Sequence, residues 1–166
     1  MDPHHLVMVR QGDVDPSQRW PLSFLRSVVR TTLRLAPCPE DAELSLTLTT
    51  DRGIQDLNAR YRGLDKPTDV LAFAMEDGEP LPLLPGVPRQ LGDIVVSLDT
   101  TLRQAQENQT TPQSELAWVI CHGTLHLLGF DHQDFEQLSH MRAREREVLT
   151  ALAIDRNWPE LYPEET

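Results

Sequence analysis

Apolar and polar positions along this chain follow two periods, and the switches between them mark short strands and longer helices. His5 to Arg10 is apolar enough for a first strand, and Gln11 to Pro16, with Gly12, Asp13, Asp15 and Pro16, reads as a turn. Ser17 can cap a helix running to about Leu35, in which Leu22, Leu25, Val28, Val29, Thr32 and Leu33 recur at helical spacing. That pattern is an amphipathic helix packing on a sheet, and Pro37-Cys38-Pro39 stops it. From Glu43 to Thr50, Leu44, Leu46 and Leu48 alternate with polar partners, as in a strand buried on one face. Asp51 looks like the cap of a helix from about Arg52 to Arg62, with Ile54, Leu57, Asn58 and Tyr61 on one side, and Gly63 ends it. Asp69 to Ala74 and Leu91 to Ser97 read as strands, and the Gly- and Pro-rich stretch from Met75 to Arg89 is a loop or hairpin arm between them. Asp99 can cap a helix through about Asn108. Thr111-Pro112 opens the next, with Pro at its first position and Glu115 in its first turn. That helix carries Leu116, Val119, Ile120 and Leu127 and should end near Gly129; a last helix follows from about Gln133 to Ala153.

Length adds that the whole chain, residues 1–166, fits one domain with a core of its own. No apolar run approaches the roughly 18–20 residues needed to span a bilayer, so no membrane association is expected. The first residues lack a basic stretch followed by an apolar one, so no secretory signal is read. Cys38 and Cys121 lie far apart and make no disulfide framework, which points to a reducing, cytoplasmic setting. The net charge of −11 argues against a general nucleic-acid coat, because phosphate binding needs clustered Lys and Arg. Any nucleic-acid function therefore needs a local basic site. One region supplies it: Arg52, Arg60, Arg62 and Lys66, the only lysine, crowd together, whereas about 159–166 is an acidic tail.

The chemistry concentrates near the end of the helix that begins at Pro112. His122 and His126 are four apart, so their imidazoles leave one helical face together. Gly129 lets the chain turn out of the helix and bring His132 back as a third ligand. Three nitrogen ligands with one open position is the pattern of a catalytic zinc, one Zn2+ per chain. Such a zinc lowers the pKa of water to about 7. His4 and His5 sit in a terminus that frays and His140 stands alone, so none of them is a ligand candidate. The spacing is also that of metzincin proteases, H-E-x-x-H-x-x-G-x-x-H, but Gly123 holds the place of the glutamate that acts as their general base. Asp131 either orients a ligand imidazole from behind or caps the final helix.

The run His122-Gly-Thr-Leu-His126-Leu-Leu-Gly-Phe-Asp-His132 resembles the signature of the YbeY-type endoribonucleases, the rRNA maturation factors of bacteria and organelles. Asn58-x-x-Tyr61-Arg62-x-x-Asp65-Lys66-Pro67-Thr68-Asp69-Val70-Leu71-x-Phe73 is similar to a second block of that family, and Leu91-Gly92-Asp93-Ile94 to a third. Ala72 and Ala74 depart from it, standing where the family usually has Ser and Pro. The resemblance implies an α+β fold: a small mixed sheet of about four strands covered by about five helices, with the zinc site in a cleft. It implies single-strand-specific, metal-dependent RNA cleavage, late maturation of small-subunit rRNA and ribosome quality control, with the small ribosomal subunit and its assembly factors as partners. It also carries a family arginine onto Arg62, whose fork of donors suits a phosphoryl group gaining charge. Lys66 is a second candidate, for a backbone phosphate contact; the segment from Asp65 to Asp69 is otherwise only a turn of Pro-fixed geometry. Two other classes stay open: a zinc hydrolase acting on peptides or small molecules, and a ribosome-assembly binding factor with little activity of its own.

Overall fold

The computed structural model describes residues 3–36, 38, 40–75 and 85–158, so the acidic tail at 159–166 and most of the Pro-rich loop fall outside the described residues. Among those residues the elements run β1 (His5–Arg10), α1 (Leu22–Leu35), β2 (Ala42–Thr49), α2 (Asp51–Arg62), β3 (Val70–Ala74), β4 (Arg89–Ser97), α3 (Leu98–Glu107), α4 (Pro112–Leu127) and α5 (Phe135–Ala151). The strands form one mixed sheet in the order β1-β2-β4-β3, parallel from β1 through β4 and antiparallel between β4 and β3. This is the expected α+β architecture. The order itself is non-local, because the last strand in sequence inserts beside β2 and pushes β3 to the edge.

Alternation decides which face each side chain covers. Leu44, Leu46 and Leu48 of β2, with Ile94 and Val96 of β4, join Leu25, Val28, Val29 and Leu33 of α1 in the main core. Leu116, Ile120 and Leu125 of α4 and Met141, Val148 and Leu149 of α5 complete it. Their odd-numbered partner Val95 and Leu71 of β3 turn to the other face, where Ile54 of α2 packs on them. Gly123 sits where α4 meets the sheet. A Cβ there would lie 2.9 Å from Ile94 Cγ2 and 3.0 Å from Val70 Cγ2, so its missing side chain lets the helix approach β3 and β4 closely.

Several expected boundaries move. Ser17 does not cap α1. Asp15 accepts from the Ser17 backbone N–H and caps a separate 3-10 turn (Pro16–Gln18), and α1 begins only after Pro21. Asp51 and Asp99 are not caps either. Thr50 caps α2 and Ser97 caps α3, each through its hydroxyl. The two aspartates stand inside the first turns, where negative charge complements the helix dipole, and they tie the two helix starts together. Asp99 accepts the Asp51 backbone N–H at 2.9 Å, while Asp51 accepts from Ser97 Oγ at 2.7 Å, Thr100 Oγ1 at 2.6 Å and Arg103 at 2.8 Å. α5 starts at Phe135 with Asp134 as its cap, two residues later than the spacing suggests. The α4 boundaries, with Thr111 as cap and Pro112 in the first turn, agree with the sequence.

β4 also contains a bulge that the alternation hides. Its register on β2 slips by one residue between Glu43 and Leu44, and Gly92 takes up the irregularity at φ 130°. A Cβ at Gly92 would fall 2.0 Å from the Phe73 carbonyl oxygen. Glycine is required there, both for the backbone conformation and for the close pairing of β3 against β4.

Candidate metal centre

α4 is buried almost all round until its last turns, where it reaches the sheet edge beside β3. His122 and His126 leave it there, half-buried, and His132 returns from the segment after Gly129, which adopts φ 99°. The turn is closed by Gly129 N–H and Phe130 N–H donating to the His126 and Leu125 carbonyls. The sequence expectation for this segment therefore holds in its geometry: one nitrogen from each of the three imidazoles lies within 4.8 Å of the others. The Nε2 atoms of His122 and His126 are 3.2 Å apart. Two nitrogens each about 2.0–2.1 Å from a tetrahedral zinc would sit about 3.3 Å apart, so this pair fits a shared ion. Among the described residues this is the cluster that could hold a metal, and an all-imidazole donor set suits zinc and its neighbours better than hard cations. Burial, then the neighbouring His122 and His132, push the pKa of His126 down to about 4, with Asp131 and the Phe130 backbone acting the other way. His126 is therefore neutral at pH 7, the form that can donate a lone pair.

The three histidines face an open cleft of about 1150 Å³ that Tyr61, Arg62, Lys66 and Phe73 also line. Arg62 comes from the last turn of α2, is exposed, donates from Nη2 to the Ala72 carbonyl at 2.9 Å and lies over the Phe73 ring at 5.4 Å. Ala72, one of the two departures from the family pattern, thus anchors that arginine through its backbone. Gly63 terminates α2 in the left-handed conformation, as expected. Buried Asn58 then fixes the following loop, donating from Nδ2 to the Lys66 carbonyl at 2.9 Å while Gln55 donates to Asp65 Oδ1 at 3.0 Å. The loop from Asp65 to Asp69 is a held turn that also brings Lys66 to the cleft.

Asp131 lines the cleft, but its carboxylate accepts the His132 backbone N–H at 2.8 Å and makes no hydrogen bond to an imidazole. The carboxylate that meets a ring of the histidine cluster is Glu145 of α5, at 2.7 Å from His122 Nδ1. Sequence reasoning passed over it. The signal was an acid on an apolar stripe: Glu145 shares its buried face with Met141, Val148 and Leu149. Burial alone would raise its pKa, yet the bond and charge of His122, then the charge of Arg142, hold it below the usual carboxylate range. Gly123, the place of the protease glutamate, faces Ile94 and Val70 rather than the histidines. His4, His5 and His140 lie outside the cluster, and Cys38 and Cys121 are buried and form no disulfide. Among the described residues no helix is long and apolar enough to cross a membrane.

A family model described as Endoribonuclease YbeY matches residues 10–153 of this chain. The endoribonuclease YbeY of a Picosynechococcus species is 47% identical over 131 residues, covering 78% of this chain and 80% of that one. That of Pelotomaculum thermopropionicum is 49% identical over 135 residues, covering 80% and 87%. The solution structure of TM1509 from Thermotoga maritima aligns with a TM-score of 0.56 at 26% identity, over 89% of this chain and 92% of that one.

Proposed function

The chain belongs to the endoribonuclease YbeY family, and from that premise we propose that it is a zinc-dependent, single-strand-specific endoribonuclease acting in late small-subunit rRNA maturation and ribosome quality control. The observation that carries the reading is that three imidazole nitrogens converge within 4.8 Å on a cleft that Arg62 also lines. His122, His126 and His132 would hold the zinc. Bound there, zinc supplies Lewis acidity and lowers the pKa of water toward neutrality.

The remaining steps belong to the chain's own side chains. Arg62 spends one N–H on the Ala72 carbonyl, which fixes the plane of its guanidinium, and its other donors serve the non-bridging oxygens of the scissile phosphate. Stabilising charge that grows in the transition state is where such a donor has its largest effect. Lys66, presented by the Asn58-anchored loop, contacts an adjoining phosphate. Tyr61, 60% exposed and edge-on to Phe73 at 5.4 Å, offers a ring face on which an unpaired base can stack. Stacking of that kind selects single strands. The Gly123 position, packed into the sheet, has no room for the carboxylate that peptide hydrolysis needs. In this reading residues 1–166 act as one YbeY-like domain in the cytoplasm, with the small ribosomal subunit and its assembly factors as partners.

The test is elemental analysis joined to a cleavage assay on labelled RNA carrying single- and double-stranded segments, with a His126→Ala variant purified in parallel. Wild type should carry one zinc per chain and cut the single-stranded segments; the variant should be folded, zinc-poor and inactive. Cutting by metal-free wild type, or equal cutting by the variant, sinks the zinc mechanism. Co-sedimentation with small ribosomal subunits by both proteins would test the ribosomal role apart from cleavage.

A further inference from the structure

We infer that Glu145, steadied by Arg142, is the positioning residue of this metal centre: it holds the His122 ring with a proton on Nδ1 and Nε2 turned into the ligand cluster. The inference rests on the reading of the three histidines as metal ligands, and it names what sets one of them.

An ionised carboxylate only accepts hydrogen bonds. At 2.7 Å from Glu145 Oε2, His122 Nδ1 must therefore carry the proton. In the neutral ring, the form that binds a metal, Nε2 is then the nitrogen with a lone pair, and it lies 3.2 Å from His126 Nε2 inside the cluster. The contact is shielded, with the His122 side chain 14% and the Glu145 side chain 0% exposed. Both oxygens of Glu145 are engaged, because Oε1 accepts from Arg142 Nη1 at 2.7 Å. Arg142 is itself placed over the Trp118 ring at 5.3 Å, and that ring packs on His122 at 5.0 Å between centroids. Carboxylate, guanidinium, indole and imidazole thus form a closed ring of contacts behind one ligand. Burying a charge in an apolar helix face is costly unless it is paired, and the rest of that buried face, Met141, Val148 and Leu149, is apolar. The acid is there for what it touches. Asp131 does not duplicate it, since its carboxylate is engaged by the His132 backbone.

Glu145→Gln separates this role from mere packing. A glutamine must turn its amide nitrogen toward either Arg142 or His122. Facing Arg142 it sets donor against donor; facing His122 it demands an acceptor at Nδ1 and moves the proton to Nε2, the nitrogen the metal needs. The loss expected on removing such a partner is about 10–100-fold in metal affinity. Zinc affinity is measured by equilibrium competition with a chromophoric chelator, and the His122 tautomer by long-range 1H–15N correlation in the wild type, zinc-free at pH 8 and zinc-loaded. The inference expects an Nδ1-protonated His122 in both wild-type states and weakened zinc binding in the variant. The tautomer measurement needs no variant and so stands even if Glu145→Gln folds poorly. A wild type that binds zinc with His122 protonated at Nε2, or a folded Glu145→Gln that binds zinc as tightly as wild type, overturns the positioning role alone. A wild type with no zinc affinity overturns the metal reading beneath it.

Discussion

Removing Arg156 should destabilise the protein through charge rather than volume, and the structure allows the two to be separated. Arg156 follows α5 and returns to the start of α4, where its Nη2 donates to both oxygens of Glu115 at 3.1 Å. The two side chains are 2% and 0% exposed. Its guanidinium is also stacked on Trp118 at 4.4 Å and Trp158 at 5.0 Å. Deleting one member of a buried ion pair leaves the other charge without its partner, at a cost of about 3–5 kcal/mol. Against a total stability of about 5–15 kcal/mol, that is a large share. For a chain of this length it corresponds to a fall in melting temperature of roughly 6–20 °C. Glu115 keeps a contact from Asn108 Nδ2 at 3.3 Å and a place in the first turn of α4, so the cost should sit at the lower end of that range. Urea unfolding at pH 7 measures it. Arg156→Met retains the apolar stem over the tryptophans; if charge dominates, Met and Ala variants lose nearly the same amount. Glu115→Leu with Arg156→Met together should recover most of the loss, because a buried pair exchanged for apolar groups is often close to neutral. A single variant within 1 kcal/mol of wild type, or a double variant as unstable as the single, refutes the reasoning.

Gly92→Ala should cost more than about 4 kcal/mol, because its Cβ would overlap a backbone carbonyl that cannot rotate away and φ 130° is strained for an L-residue; a urea midpoint close to wild type would remove the bulge argument. Asp51→Asn should cost about 1–2 kcal/mol at pH 7 by weakening charged hydrogen bonds at the α2–α3 junction. There, burial would raise the Asp51 pKa, but bonds from Thr100 and Ser97 and then Arg103 hold it below its ordinary 3.8. A carboxylate with a lowered folded pKa contributes stability that is full above about pH 4 and fades as pH falls through that lower value, so the gap between variant and wild type should close in acid; a gap constant from pH 7 to acid contradicts it. Arg62→Ala should leave zinc content intact and melting nearly so, since an exposed arginine held by one carbonyl and one ring contributes little to stability. RNA turnover should fall about 10²–10³-fold; an unchanged kcat excludes Arg62 from the chemistry.

Features of the fold that depend on one segment are readable in the sequence; features set by two segments are not. The stripe Leu25, Val28, Val29 and Leu33 and the alternation Leu44, Leu46, Leu48 each bury as a single element dictates. Helix caps are ambiguous in the sequence because Thr50-Asp51 and Ser97-x-Asp99 each offer two residues, one or two positions apart, able to cap. The hydroxyl residues took that place once the aspartates found partners on each other's helices. The bulge at Gly92 shows only when β3 and β4 are paired. The same rule governs the site. His122, His126 and His132 share eleven consecutive residues, so helical spacing and one glycine bring them together. Arg62 was reachable through its motif. Glu145 meets His122 from 23 residues away on another helix, and no local pattern links the two.

That difference in reach matches a difference in how the two sides of the cleft are held. α4 buries Val119, Ile120, Cys121, Thr124 and Leu125 within three turns, packed by the sheet on one side and by α1 and α5 on others. A helix apolar all round is fixed by close packing and shifts only if its neighbours shift. His122 and His126 therefore stand on a helix fixed by packing on several sides. Arg62 and Lys66 stand on α2 and its trailing loop, whose apolar anchor is the small cluster around Ile54, Leu71 and Val95. The other restraints are polar: Arg62 and Asn58 donate to the Ala72 and Lys66 carbonyls, Gln55 donates to Asp65, and Asp51 ties the start of α2 to α3. Segments held by few apolar contacts open at lower free energy than packed helices. In the proposed reading the imidazoles of His122 and His126 are thus set before a substrate arrives, while Arg62 and Lys66 can adjust to a phosphate chain. A net charge of −11 does not prevent that encounter. Exposed charges more than about 10 Å away are largely screened at moderate salt, so the charges that line the cleft, Arg62 and Lys66 beside Asp69 and Asp131, matter more than the net charge.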